Sequence, residues 1–141
     1  MIEQTFQRRL LALHYVFPVP LPKVIPLLKI DPDLSQLENI QPTLLAKLCN
    51  IPIERAIHLK NMYKELVYHP LLETYEKHNI LPIAYNDNYH PESLLKLYDP
   101  PVILYTKGDV SLLANIKKIA IIGSRKATSY AEKSIEKILP P

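Results

Sequence analysis

The stretch of this 141-residue chain best equipped for chemistry is Ile119-Ala120-Ile121-Ile122-Gly123-Ser124-Arg125-Lys126-Ala127-Thr128-Ser129-Tyr130. A continuous apolar run ends in a glycine, and a hydroxyl, two cations and a pair of helix-capping residues follow. Such an order favours an anion. The unpaired N–H groups of a helix's first turn, together with the helix dipole, attract negative charge. Gly123 lets the backbone approach an oxyanion with no side chain in the way. Ser124 can donate a hydroxyl, and Arg125 offers a planar fork to phosphate oxygens. Lys126 adds charge, and Thr128 or Ser129 is suited to the N-cap. The segment lacks the Gly-x-Gly-x-x-Gly dinucleotide fingerprint and the Gly-x-x-x-x-Gly-Lys-Ser/Thr nucleotide loop. On residue types alone, an anion site and an ordinary strand-to-helix turn both stand.

The elements that must position this turn change in texture along the chain. Over the first 78 residues apolar positions recur at helical spacing. Ile2, Phe6, Leu10, Leu13 and Phe17 form one stripe, closed by Pro18-Val19-Pro20-Leu21-Pro22. Short helical pieces are expected at Pro22–Lys29, Asp33–Glu38 and Pro42–Cys49, each opened by proline or aspartate. A longer helix is expected from Pro52 to Tyr68, with Ile53, Ala56, Ile57, Tyr63, Leu66 and Val67 on one side. Pro70 opens a last turn or helix to His78. Two short helices, a tight turn at Asn50-Ile51-Pro52 and a further helix resemble a SAM-like or helix-hairpin-helix bundle. That turn lacks the glycines that bring a phosphate close to backbone amides.

From residue 79 strands enter. Ile80–Tyr85 and Val102–Tyr105 are strand candidates, and Pro82 argues for an edge position in the first. Between them lie a turn-rich Asn86–His90 and two expected helical turns at Pro91–Leu97, with Leu94, Leu95 and Leu97 facing a core. Ile119–Ile122 fits a strand buried on both faces of a parallel sheet. Thr128–Leu139 reads as a helix with Ile135, Ile138 and Leu139 as a partial apolar stripe.

Bulk composition narrows the class. Apolar residues make up 48% and charged residues 22%, an ordinary globular mix, and no apolar run reaches bilayer length. The N-terminus shows no secretory signal pattern, and the single Cys49 permits no internal disulfide, so a cytoplasmic location is expected. His14 and His58 lack metal-ligand spacing, and neither a metal nor a cofactor is expected. Net charge is only +3, but residues 107–141 carry seven basic against three acidic residues. The positive excess therefore sits beside the Gly-Ser-Arg turn, where it attracts a polyanion or simply solvates a helix face. Nine tyrosines, among them Tyr89, Tyr98, Tyr105 and Tyr130, can stack on bases or pack in turns.

Three blocks in order resemble the DprA/Smf family of DNA-processing proteins. Tyr89-His90-Pro91 with Leu94 or Leu95, Asp99-Pro100-Pro101, and Leu104-Tyr105-Thr106-Lys107-Gly108 precede the Gly123-Ser124-Arg125…Thr128…Tyr130 turn. The resemblance spans about residues 80–139, and the helical part matches only in architecture. It implies an α/β protein: an all-α bundle over residues 1–78, then from 79 to 141 the incomplete start of a Rossmann-like parallel-sheet domain. It implies a non-enzymatic protein of natural transformation that binds and protects single-stranded DNA and helps load the RecA recombinase. Matched residue by residue, the DNA phosphate site falls on Gly123, Ser124 and Arg125, with Lys126 and Thr128 beside them.

His90 is inserted where the family pattern has Tyr and Pro adjacent, which reads as a small insertion at a surface turn. Ala131 stands where many relatives place glycine. Later family motifs do not follow Leu139, so a truncated product is expected, with an exposed strand edge at Ile119–Ile122, weak or absent DNA binding and most of the family's dimer surface missing. Rival readings are a nucleotide- or phosphate-binding Rossmann-like enzyme, and a remnant or protein-interaction module. No paired carboxylate follows Gly123; Glu132 and Glu136 lie on the helix itself.

Overall fold

The computed structural model of the chain describes residues 2–114, 117, 122, 123 and 126–139, with the side chains of residues 2–4 excepted. Among them are seven α-helices and a small two-stranded antiparallel sheet, a helix-rich mixed α/β architecture. No helix among the described residues is long and apolar enough to cross a membrane.

Helix α1 (Ile2–Val16) is the centre of the molecule. Leu10, Leu13 and Phe17 of the expected stripe are buried and Phe6 packs beside them; the side chain of Ile2 lies outside the described residues. Leu11 and Ala12 are buried too, because α1 is covered from several sides by α4 (Ile53–Leu66), α5 (Leu71–Lys77) and β1 (Leu81–Ala84). Pro18 and Pro20 then turn the chain into α2 (Leu21–Leu28), which carries proline in its first turn and again at Pro26.

The segment after α2 departs from expectation. Asp33–Glu38 forms turns and bends rather than a helix. Asp31, which is 3% exposed, anchors this loop. Its carboxylate accepts the Ser35 amide at 2.9 Å and the Gln36 amide at 2.8 Å, which ties the loop together. Leu34 adopts a φ of +55°, which no helix allows, and buries its side chain. The Tyr63 hydroxyl donates to the Leu34 carbonyl at 3.2 Å and Lys60 Nζ to the Ile40 carbonyl at 2.8 Å, fastening the loop to α4.

Helix α3 (Pro42–Cys49) ends at Asn50, in the left-handed region with φ 52°. The Ile51 amide returns to the Ala46 carbonyl at 3.0 Å, so the α3–α4 turn spends that amide on its own helix end. On α4 the buried residues are Ala56, Leu59 and Tyr63, whereas Ile53 and Ile57 are 41% and 44% exposed. The expected face was therefore set too wide. At 3.6 residues per turn Ile53 and Ile57 lie roughly 90–130° round the helix from the buried line.

Strand β1 pairs antiparallel with β2 (Ile103–Thr106), Leu81 opposite Thr106 and Ala84 opposite Ile103. Pro82 has no N–H to give, and a two-stranded ladder leaves each strand one free edge. Gln7 Nε2 donates to the Pro82 carbonyl at 2.8 Å, and Ala84, Val102 and Ile103 join the same apolar core as the helices. That core is continuous across residue 79. The third strand candidate, Ile119–Ile122, lies outside the described residues except for Ile122.

Between the strands, Asp87 builds the turn. Its Oδ1 accepts the Tyr89 amide at 2.8 Å and its carbonyl the His90 amide at 3.0 Å. His90, expected at the surface, is only 6% exposed. Helix α6 (Glu92–Leu95) is a single turn, and Leu95 and Leu97 are 37% and 52% exposed rather than facing a core. The chain regains the interior only at Pro100, whose carbonyl accepts the Leu21 amide at 2.8 Å, and at Val102. A 3-10 turn (Val110–Ala114) follows β2, and α7 (Ser129–Ile138) closes the described chain.

Candidate functional site: the Gly123 turn and the start of α7

Thr128 is the N-cap of α7. Its backbone is extended, with φ −89° and ψ 157°, and its Oγ1 accepts the Ala131 amide at 3.3 Å. The sequence left Thr128 and Ser129 as alternatives; Ser129 is the first helical residue. The Glu132 amide begins the helical ladder on the Thr128 carbonyl at 3.1 Å. That leaves the Ser129 and Tyr130 amides at the positive end of the helix without an intrahelical acceptor. The Thr128 hydroxyl accepts with oxygen lone pairs and keeps its hydrogen for a further partner.

A cleft of about 580 Å³ runs along this helix start. Gly123, Lys126 and Thr128 line it, together with Tyr130, Ser134 and Ile138 on α7. Three of the five residues expected at the phosphate site are thus brought to one concavity. The other two, Ser124 and Arg125, lie outside the described residues. Among the described residues nothing lies within 4 Å of where a Cβ on Gly123 would stand. Glu132, also in the first turn of α7, opposes an anion at close range.

Sequence reasoning placed Ile135 and Ile138 on an apolar stripe without seeing that the stripe faces the cleft. Tyr130 and Ser134 are one helical turn apart, and the Ser134 hydroxyl donates to the Tyr130 carbonyl at 2.8 Å. The four-residue spacing of Tyr130, Ser134 and Ile138 is the signal that could have found them. Tyr130 is 80% exposed, an aromatic face beside a basic turn.

A glycine-opened turn that carries Lys126 and leads into a capped helix has the form of an anion-binding turn. The comparisons narrow this. Residues 82–141 match the family model of DNA recombination-mediator protein A. The DNA processing protein DprA of Bacillus subtilis (strain 168) is 30% identical over 111 residues, covering 76% of this chain and 35% of that protein. Its namesake from Streptococcus pneumoniae (strain ATCC BAA-255 / R6) is 40% identical over 53 residues, 38% of this chain and 18% of that protein. No solved structure gives a significant match. The chain belongs to the DprA family. It spans about a third of the length of the Bacillus relative.

Proposed function

We propose that the chain acts in DNA processing by holding the backbone of single-stranded DNA at the turn from Gly123 to Thr128. The observation that carries this reading is the convergence of Gly123, Lys126 and Thr128 on the cleft at the start of α7. A phosphate there meets the Ser129 and Tyr130 amides, the Thr128 hydroxyl and the cations of the turn, while Tyr130 offers a face to an adjoining base. Arg125 is the principal phosphate contact and Ser124 a secondary donor. No bond is made or broken: the protein is a binder rather than an enzyme, needs no cofactor, works in the cytoplasm, and hands the strand to a RecA-type recombinase during natural transformation. The Rossmann-like plan begins only after the antiparallel β1–β2 pair, with the Gly123 turn and α7 as its first turn and helix, and residues 1–78 are a SAM-like bundle.

One turn with three or four cations neutralises few phosphates, so the complex is weaker than micromolar and its affinity falls with salt. For single strands the logarithmic slope is about −0.7 per phosphate, giving a slope near −2 to −3 here. Titrating a fluorescent oligothymidine with the chain at low and moderate salt, alongside Arg125→Ala, tests this. Salt-dependent binding that the substitution abolishes is the expected result. Equal affinity of the two proteins would remove the turn from the reading.

A further inference from the structure

A second cleft, of about 520 Å³, opens between the Asp87-organised turn and the 3-10 turn Val110–Ala114. Its walls include Asn88, Tyr89, His90, Glu92, Ser93 and Leu113. His90 is 6% exposed, and among the described residues neither Nδ1 nor Nε2 has a hydrogen-bond partner. A buried polar group without a partner costs stability and commonly marks an unfilled role. Burial lowers the pKa of His90, while the nearby Pro91 and Pro101 carbonyls and the charge of Asp87 oppose the shift. Near neutral pH the ring is uncharged, with one donor and one acceptor held inside the cleft wall.

The lining selects against a phosphate. Among its described residues there is no Lys or Arg, and Glu92 places a carboxylate in the wall, paired with Lys96 at 2.9 Å. What remains is a set of neutral donors and acceptors, an apolar wall at Leu113, and Tyr89, 55% exposed. The volume is within the range of roughly 300–1,000 Å³ usual for small-molecule clefts. Those features match a planar, uncharged heterocycle with donors and acceptors on its edge.

We propose that this cleft is a nucleobase subsite. A base enters edge-first toward the His90 imidazole and Asn88 amide and rests its face on Tyr89, so that the chain grips a strand by a base here and by phosphate at the Gly123 turn. This rests on the single-strand reading for its biological ligand, although the cleft's affinity for a base does not.

The test uses the full chain and two kinds of probe. Free thymidine and deoxyadenosine, which carry no phosphate, are titrated while the His90 ring resonances are followed by NMR, with assignment by their loss in His90→Gln. Oligothymidine and an abasic strand of equal length are titrated in parallel against the native chain and Tyr89→Ala, a substitution at an exposed position. Nucleosides should shift the His90 signals, and Tyr89→Ala should weaken oligothymidine about tenfold while leaving the abasic strand unchanged. Nucleosides that leave His90 unmoved, with oligothymidine and abasic strand bound alike, would overturn the subsite and leave the phosphate reading intact. Nucleoside shifts abolished by Tyr89→Ala, in a chain that binds neither strand, would uphold the subsite and end the single-strand reading.

Discussion

His14 Nδ1 and Tyr105 Oη lie 3.0 Å apart, joining α1 to β2 across 91 positions of sequence. Tyr105 also packs on Tyr75 of α5, ring centroids 5.1 Å apart. Burial first, and then Tyr75, push the Tyr105 hydroxyl above its ordinary pKa, so it serves as a neutral hydrogen-bonding group. Three elements from both halves of the chain therefore meet at one phenol.

Replacing Tyr105 by Phe keeps the ring and removes the bond. Tyr105 is 42% exposed, so water replaces part of what is lost. The expected cost is about 0.5–1 kcal/mol, read as a lower urea midpoint at unchanged m-value. An unchanged midpoint would show that the ring packing alone joins the elements.

Asp31 is the more consequential residue. Its buried carboxylate takes two amides of the loop and ties residues 31–36 together. Asp31→Ala should cost about 1–2 kcal/mol, since two part-buried N–H groups lose their carboxylate acceptor and water replaces only part of it. Asp31→Asn, which keeps one carbonyl oxygen, should cost less. If both variants unfold at the native urea midpoint, the loop is held by Leu34 and Leu37 packing instead.

Acid should destabilise the protein through its histidines. Burial lowers the pKa of both His14 and His90, so the folded state favours the neutral rings. Below the ordinary value of about 6.5 the unfolded chain binds more protons than the folded one. The contribution of these rings is therefore complete above that pH and is lost as pH falls toward the lowered folded values. Urea midpoints should decline from pH 7.5 to pH 5, and His90→Gln should flatten the decline. A slope identical in that variant would assign the acid sensitivity elsewhere.

What the sequence made legible followed from local rules. The α1 stripe, the α3 start at Pro42, both strands and the Thr128 cap depend on periodicity, proline and short polar side chains. Asp33–Glu38 failed because Leu34 takes a left-handed backbone to bury its side chain in the core, a tertiary demand that local rules do not show. The burial of His90 and the exposure of Leu95 and Leu97 failed because they depend on where the Asp99-Pro100-Pro101 turn leads the chain back to the core. At the candidate site, Gly123, Lys126 and Thr128 were legible as a motif. Their common cleft with Tyr130 and Ser134 required the helix to be placed.

Thr128 offers a way to separate folding from binding at that cleft. Its side chain caps α7 through Oγ1 and, in the proposed complex, donates its hydroxyl to phosphate. Thr128→Ala removes both and should lower the stability of α7 by about 1 kcal/mol, visible as reduced helical circular dichroism. Thr128→Ser retains the hydroxyl and should preserve both helicity and oligothymidine affinity. Thr128→Gly is the informative case, because glycine caps within a few tenths of a kcal/mol of threonine but carries no hydroxyl. Helicity kept and affinity lost in that variant would place Thr128 on the phosphate; helicity and affinity both kept would confine it to the cap.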